Sequence, residues 1–185
     1  MKLKLIAAML FATSALFAGA YKVDTTHSGV TFKVKHLMVS NVKGKFSSFE
    51  GNFELDDKTN QLKSLYGVVQ VDSIDTGIDN RDEHLKSAEI FNAEKYPKIS
   101  FRFTKMVKDK AEGEFTMHGV TRVVQFDYEF GGVISHNNSK KAGLTLSGVV
   151  NRKDFGINWN KVLEAGGVAV GEDVKIEIEL EGDLI

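Results

Sequence analysis

The sequence predicts an all-β protein, an antiparallel up-and-down β-barrel of about eight strands with one short helical insertion. Apolar and polar residues alternate along most of the chain, which is typical of strands that bury one face. One internal segment lacks this alternation and is rich in helix-forming residues. Many short strands with one apolar face must close on themselves or stack in two layers. Closure leaves no exposed edge, which favours a barrel, and a two-sheet sandwich is the alternative.

The first twenty residues have the pattern of a secretory signal peptide. Lys2 and Lys4 precede an apolar run over residues 5–17, and the small residues Ala18, Gly19 and Ala20 follow. A membrane-spanning helix needs about 20 apolar residues, so this run is too short to be an anchor. We therefore predict cleavage before Tyr21, a mature domain over residues 21–185, and a periplasmic or secreted location.

Strands are predicted wherever the period of two is sustained. The segments are residues 30–34, 49–55, 99–103, 124–130, 144–150 and 174–180. The last segment is the clearest, because aliphatic side chains occupy its even positions and charged side chains the odd positions from 175 to 181. This alternation predicts that one face of each strand points inward.

Residues 80–91, with the sequence NRDEHLKSAEIF, predict a helix or two short turns that cover one end of the sheet. Asp79 is the candidate N-cap. Pro97 ends this insertion just before the next strand, where a missing backbone donor is tolerated.

Two further segments read as turns. MHGVTR predicts a hairpin with His118 and Gly119 at its turn, and NRKDFG gathers Arg152, Lys153 and Asp154 at a strand end. Turn chemistry accounts for the glycine and asparagine in both segments without any function. The glycine-rich segment EAGGVAVGEDV lacks the spacing and the following helix of a phosphate loop, so nucleotide binding there is rejected.

Composition excludes several classes of function. The 25 acidic residues and the 22 Lys and Arg that remain without residues 1–20 leave a formal charge of −3, which argues against nucleic acid as a partner. Thiol chemistry is excluded because the chain contains no cysteine. The zinc-protease, C-x-x-C and G-x-S-x-G signatures are all missing from the sequence. We therefore predict no cofactor, no metal and no enzymatic activity.

One cluster keeps an enzyme open as the alternative. The segment SIDTGIDNRDEHL brings together carboxylates, a cation and a histidine: Asp75, Asp79, Arg81, Asp82, Glu83 and His84. Such a group can perform acid–base chemistry on a lipid-like substrate, although ion pairs that fix a loop are the commoner outcome.

The ordered set of segments resembles the YceI-like family. The segments that carry the resemblance are DTTHSGVTFKVKH, GKFSSFEG, SIDTGIDNRDEHLKS, EKYPKISF, GEFTMHGVTR, SGVVNRKDFG and EAGGVAVGEDVKIEIELEG, from Tyr21 to about Gly182. The resemblance implies a lipocalin-like barrel that carries or sequesters a long apolar chain, such as a polyisoprenoid or a fatty-acid amide, in its lumen. It also implies a periplasmic or secreted protein, no stable membrane anchor, no enzyme activity and, in some members, a homodimer.

The residues on the inward face of the predicted strands are the candidates for the wall of the lumen. These residues are Phe32, Val34, His36, Phe49, Phe53, Phe101, Phe103, Phe126, Leu146, Val150, Ile176 and Ile178. A polar head group of the ligand needs cations or hydrogen-bond donors near one barrel end. The candidates are Arg81, His84, His118, Arg122 and Arg152. Parity alone does not distinguish an apolar lumen from a filled core, and a structural exported protein with a filled core is a third interpretation.

Overall fold

The computed structural model describes residues 18–136, 139–163 and 166–185, so residues 1–17 of the predicted signal peptide lie outside the described part. Eleven strands and one α-helix make up the fold. The strands are β1 (Ala18–Val23), β2 (Gly29–His36), β3 (Ser40–Phe46), β4 (Phe49–Asp56), β5 (Leu62–Gln70), β6 (Ile74–Asp75), β7 (Lys98–Val107), β8 (Lys110–Met117), β9 (Val120–His136), β10 (Ser139–Asn151) and β11 (Val170–Leu184). The helix α1 spans Asp79–Lys86, and short 3-10 turns span Val71–Ser73 and Arg152–Phe155.

All strands pair antiparallel in one sheet that closes into an eight-stranded barrel. The closed ring runs β1-β4-β5-β7-β8-β9-β10-β11 and returns to β1. The predicted barrel is thus confirmed, and the two-sheet sandwich is wrong because a single sheet closes on itself. All six predicted strand segments fall within observed strands.

Three strands, β2, β3 and β6, extend one end of the barrel. Strand β2 pairs with the first half of β11 and β1 pairs with its last residues, so β1 and β2 lie end to end along one edge of β11. In the same way, β3 pairs with β2 and β4 pairs with β1. The next strand beyond β3 is β6, and the next strand beyond β4 is β5.

A polar turn separates β1 from β2. The carboxylate of Asp24 accepts the amide of Thr26 at 2.9 Å, and the carbonyl of Glu181 in β11 accepts the amide of Asp24 at 2.8 Å. An aspartate that binds the backbone two residues on is a common way to turn a chain. The turn lets the extension formed by β2 diverge from the barrel while both strands stay attached to β11.

Helix α1 and residues 87–97 cover the extended end. Ile78, which has no side-chain cap, occupies the N-cap position, and Asp79 is the first helical residue. The prediction of Asp79 as the N-cap is therefore wrong by one position, which is within the usual uncertainty of a helix end. The helix ends at Lys86, and Pro97 precedes β7 as predicted.

The two ends of the barrel differ in packing. Phe53 is fully buried at 0% exposure and fills the lumen on the side of β1 and the end of β11, where it stacks on Tyr21. Phe126 and Leu146 are equally buried and pack beside the cavity wall. The side of β2, α1, residues 157–159 and Val170 contains an open cavity. The molecule therefore combines the two alternatives that parity left open, a filled core and an apolar lumen, in one barrel.

Candidate functional site

An apolar cavity of about 280 Å³ occupies the lumen under α1 and is partly open to solvent. Its wall is formed by inward residues of β2, β5, β7, β10 and β11, with α1 and residues 157–159 closing over them. The volume lies near the lower end of the roughly 300–1,000 Å³ range of small-molecule sites. A cavity this apolar accepts hydrocarbon rather than ordered water.

Eight of the twelve predicted wall residues line this cavity. They are Phe32, Val34, His36, Phe49, Phe101, Val150, Ile176 and Ile178. Each comes from a strand in which the alternation placed it on the inward face. Their contact with a ligand stays a prediction.

The other four predicted wall residues lie off the cavity. Phe53 stacks on Tyr21 with ring centroids 5.1 Å apart, and Phe126 and Leu146 are wholly enclosed. Phe103 is half-buried and packs against the core further along β7. Parity assigns a residue to the inward face but does not show whether its neighbours enclose it. Leu146 lies opposite the wall residue Ile178, and Phe126 packs on the wall residues Phe101 and Phe115, yet neither lines the cavity itself.

Part of the wall comes from residues that the strand pattern does not reveal. Leu85, Ile90 and Phe91 line the cavity from the helical insertion, and Ile157 and Trp159 line it from the segment after the 3-10 turn. The sequence feature that indicates these wall residues is the presence of apolar side chains in segments whose other residues are typical of a polar helix or a turn. Trp159 packs edge-on against His84, with ring centroids 4.9 Å apart, and so joins this segment to α1.

Arg152 is a buried cation on the cavity wall, only 6% exposed. Its Nε donates to the carbonyl of Gly171 at 2.9 Å, and Nη1 donates to the carbonyl of Ile157 at 2.7 Å. Burial lowers the pKa of this guanidinium, and the nearest opposing charge, Glu172, is paired with Lys153 at 2.5 Å. The residue therefore ties β11 to residue 157 while it carries a positive charge into an apolar wall.

Arg81 is a second cation on the wall, half-buried on α1. Its Nε donates to Oγ1 of Thr76 at 2.7 Å, and Nη2 donates to the carbonyl of Thr76 at 2.8 Å. The buried carboxylate of Asp82 accepts the amide of Thr76 at 3.0 Å and also its hydroxyl. Thr76 therefore fixes the orientation of Arg81 and is itself fixed by Asp82.

The remaining head-group candidates are divided between the cavity and the surface. His84 lines the cavity and donates from Nε2 to Glu89 at 3.0 Å. His118 lies at the turn of the β8–β9 hairpin, with a φ of 52°, and its Nδ1 donates to the carbonyl of Phe155 at 3.1 Å. Arg122 is exposed on β9. The cavity thus brings together Arg81, His84 and Arg152 but neither His118 nor Arg122.

The cluster that kept an enzyme open is largely held in structural contacts. Asp75 accepts the amide of Gly77 at 2.8 Å and lies 3.6 Å from the ammonium of Lys45. Glu83 pairs with Lys86 one turn along α1, at 3.0 Å. Together with the contacts of Asp82 and His84, these bonds are of the kind that fix a loop.

A separate ionic cluster lies outside the cavity, at the turn between β1 and β2. The ligand atoms of Asp24, His27 and Glu181 lie within 4.8 Å of one another. The ammonium of Lys141 already lies among these carboxylates, 2.8 Å from Glu181 and 3.4 Å from Asp24. The hydrogen bond from His27 holds the pKa of Asp24 well below its usual range, and the same bond raises the pKa of His27.

The fold and the cavity define a class of protein, a small antiparallel β-barrel with an apolar ligand cavity at one end. The sequence profile of the YceI-like domain matches residues 21–182, and the chain belongs to this family. It is 38% identical over 163 residues to a UPF0312 protein of Staphylococcus aureus, an alignment that covers 87% of this chain and 95% of that protein. A UPF0312 protein of Staphylococcus epidermidis is 39% identical over 165 residues with the same coverage.

Solved structures show the same fold. The crystal structure of the Campylobacter jejuni YceI protein aligns with a TM-score of 0.71 at 30% identity, over 82% of this chain and 90% of that one. A polyisoprenoid-binding domain from Saccharophagus degradans aligns with a TM-score of 0.67 at 15% identity, over 90% of this chain and 99% of that one.

Within the described residues, no helix has the length and apolarity to cross a membrane.

Proposed function

We propose that this protein is an exported carrier that binds the apolar chain of a polyisoprenoid or acyl lipid in its barrel cavity. The observation that carries the proposal is the cavity of about 280 Å³ with an almost wholly apolar wall. Burial of hydrocarbon is worth about 0.8 kcal/mol per methylene, so a short length of chain already provides useful affinity. The polyisoprenoid-binding domain from Saccharophagus degradans, which has the same fold, supports this choice of ligand class.

Exposed apolar residues next to the wall residues His36 and Val170 support entry of the chain on that side. Met38 and Val39, in the turn between β2 and β3, are 56% and 82% exposed, and the neighbouring Leu37 donates its amide to the carbonyl of Ala169 at 2.8 Å. Val162, in the segment that this turn contacts, is 79% exposed. These side chains give a hydrocarbon tail an apolar path into the cavity.

Export is supported by the sequence pattern of residues 1–20 and by a family match that begins at residue 21. Strand β1 begins at Ala18, so cleavage before Tyr21 removes three of its residues. The antiparallel pairings of Tyr21 with Phe53 in β4 and of Val23 with Gly182 in β11 remain after that cleavage. N-terminal sequencing of the protein from an extracytoplasmic fraction should begin at Tyr21, and a cytoplasmic protein that begins at Met1 would contradict export.

Binding of a chain is tested by titration with a fluorescent long-chain probe. Val34 lines the cavity, whereas Val123 is 67% exposed on β9. Val34→Arg should weaken binding at least tenfold because it places a charge in the apolar wall, and the matched Val123→Arg should leave it unchanged. Failure of the unaltered protein to bind any prenyl or acyl chain would overturn the proposed function.

We propose binding without turnover. The support is that Asp75, Asp82, Glu83 and His84 are each engaged by neighbouring groups within the fold. Incubation with prenyl and acyl esters should release no product. Turnover that is lost in both Asp82→Asn and His84→Ala would instead establish the enzyme alternative. The homodimer that the resemblance implies stays a prediction. Analytical ultracentrifugation tests it by measuring the mass of the protein in solution.

A further inference from the structure

The hairpin formed by β2 and β3 is strongly basic. Residues 29–46 contain four lysines and neither aspartate nor glutamate. The four are Lys33, Lys35, Lys43 and Lys45. Among the described residues, Lys45 alone of the four has a carboxylate oxygen within 4.0 Å, that of Asp75 at 3.6 Å. The fold therefore balances the positive charge of this hairpin only in part.

Three lysines lie side by side across the outer face of the sheet. In the antiparallel register, Lys33 of β2 is opposite Lys43 of β3 on one side and Lys175 of β11 on the other. Like charges that are directly opposed destabilise a pair of strands. Asp173 and Glu177 flank Lys175 along β11, yet neither places an oxygen within 4.0 Å of these three ammonium groups. Anions that lie over this row would remove the repulsion.

The tip of the same hairpin is apolar and exposed. Leu37, Met38 and Val39 follow one another at the turn, and all three are exposed. Leu37 and Met38 have φ values of 49° and 63°, and the amide of Val39 donates to the carbonyl of His36 at 3.1 Å. Turns with two left-handed residues favour asparagine and glycine, so bulky apolar residues there are strained. Neither burial nor turn geometry accounts for these three side chains.

The segment that contacts the tip has the same character. The carbonyl of Ala169 accepts the amide of Leu37, and the carbonyl of Lys161 accepts the amide of Ala169 at 2.9 Å. Lys161 is exposed, as is the adjacent Val162. Exposed apolar side chains with lysines beside them are typical of protein surfaces that enter a lipid interface.

We propose that the β2–β3 hairpin docks the protein on an anionic phospholipid bilayer, with its apolar tip among the lipid chains and its lysines on the phosphates. At about 3.3 Å per residue, Lys35 and Lys33 lie about 7 and 13 Å behind Leu37 along β2. The polar layer of one leaflet is about 5–8 Å thick, so long lysine side chains reach its phosphates while the tip enters the hydrocarbon. Three apolar residues and a few lysines give reversible binding rather than a permanent anchor.

Charge favours a bilayer over a second copy of the chain as the partner of this surface. A two-fold contact repeats the same surface on both copies, so tip-to-tip contact would bring two sets of lysines together. An anionic bilayer instead supplies phosphates to the lysines and hydrocarbon to the tip.

Docking in this way also orients the cavity. His36, which precedes the tip, pairs with Val170, and both are wall residues of the cavity. That side of the cavity therefore faces the lipid when the hairpin is docked. The docking itself does not depend on a chain in the cavity, because the contacts with the bilayer are made by the hairpin.

Vesicle sedimentation of residues 21–185 tests the docking. Vesicles with about 30% phosphatidylglycerol in phosphatidylcholine should bind the protein at least tenfold more tightly than phosphatidylcholine alone, and about 0.5 M salt should remove most of the difference. Lys33→Gln combined with Lys43→Gln should weaken binding to the anionic vesicles at least tenfold, at about fivefold per lysine. The same double change at Lys105 and Lys108, exposed on the hairpin of β7 and β8, should alter binding less than about twofold.

A dye at the tip tests which part of the protein enters the lipid. The chain contains no cysteine, so one introduced cysteine places the dye at a chosen position. A polarity-sensitive dye on Val39→Cys should shift its emission to the blue when anionic vesicles are added. The same dye on Ile134→Cys should not, because Ile134 is 65% exposed but pairs with Lys141 toward the other end of the barrel.

The outcomes separate this inference from the proposed function. Absence of binding to anionic vesicles, or binding that the lysine substitutions leave unchanged, overturns the docking and leaves chain binding in the cavity intact. A blue shift at position 39 that grows with protein concentration without vesicles also overturns it and assigns the tip to contact between copies. Docking on vesicles by a protein whose cavity binds no prenyl or acyl chain would support this inference and overturn the proposed function.

Discussion

Gly148 on β10 faces the ring of Phe126 on β9, and a methyl group on Gly148 would lie only 2.5 Å from Cδ1 of Phe126. The ring is fully buried and contacts Phe101 and Phe115, with centroids 5.3 and 6.2 Å away. Both of those residues line the cavity. The missing side chain at position 148 therefore gives Phe126 the space in which it supports the cavity wall.

Gly148→Ala should destabilise the protein by about 1–3 kcal/mol, because the added methyl group overpacks a ring that cannot move away. Chemical denaturation measures the change in the free energy of unfolding. Gly29→Ala in β2 is the matched control, since a methyl group there meets nothing within 4 Å. At Gly29 the restriction of the unfolded chain by alanine should leave stability unchanged or slightly higher. Equal destabilisation by the two substitutions would contradict contact with Phe126 as the cause.

Phe126→Ala should lower the free energy of unfolding by about 3–5 kcal/mol and enlarge the cavity on the side of Phe101 and Phe115. The longest acyl chain that binds with undiminished affinity should then increase, as measured by titration with a chain-length series. Phe53→Ala removes an equally buried ring that stacks on Tyr21 and should change stability without changing the preferred chain length. A common chain-length profile in both variants would contradict the role of Phe126.

Asp82→Asn should cost about 1–3 kcal/mol, because the neutral amide loses the charge-assisted character of the bonds from Thr76 and places an NH2 donor where Oδ2 now accepts the amide of Thr76. Thermal unfolding at pH 7 measures the loss. Glu83→Gln on the same helix, where the side chain is 74% exposed, should change stability by less than about 0.5 kcal/mol. Equal stability of the Asp82 variant and the unaltered protein would contradict the anchoring of Arg81 through Thr76.

Acid should weaken the hairpin between β4 and β5 through Asp56. Hydrogen bonds from the amide and hydroxyl of Thr59 and from the amide of Lys58 lower the pKa of Asp56 to about 2. Because the folded-state pKa lies below the unfolded value of about 3.9, the contribution is present above about pH 4 and is lost as the pH falls toward 2.

The midpoint of thermal unfolding between pH 2 and pH 6 checks this prediction. Asp56→Asn should flatten the acid side of the profile, and Thr59→Ala, which removes only the hydroxyl, should flatten it less. A profile with the same slope in Asp56→Asn as in the unaltered chain would exclude Asp56 as a source of the acid sensitivity.

The sequence predicted the strands and their inward faces because alternation is a local property. It did not predict the level at which each inward residue lies, which depends on register between strands and on the size of opposing side chains. Phe32 and Phe126 have the same pattern in sequence, yet one lines the cavity and the other fills the lumen beside Gly148. Gly113 and Gly148 lie against the rings of Phe101 and Phe126, a close approach that the alternation of the strands does not reveal.

The charged part of the site was predicted as a set of candidates but not as a group. Arg81 and Arg152 are 71 positions apart, and the packing of His84 on Trp159 helps to bring their segments to one cavity. Arg122 is an arginine of equal promise in the sequence and shares the parity of Phe126, but it is exposed near the start of β9 and does not line the cavity. Tertiary contacts of this kind leave no periodic signal in the sequence. The sequence alone therefore does not distinguish the arginines that line the cavity from Arg122, which does not.

Organic extraction and mass spectrometry of the protein, purified under native conditions from its own cells, tests chain binding most directly. The extract of the unaltered protein should contain about one prenyl or acyl compound per protein molecule, and this compound should be lost from Val34→Arg purified in the same way. An extract without any apolar compound near equimolar amount, or one with equal amounts from both proteins, would contradict the assignment of the barrel cavity as the binding site.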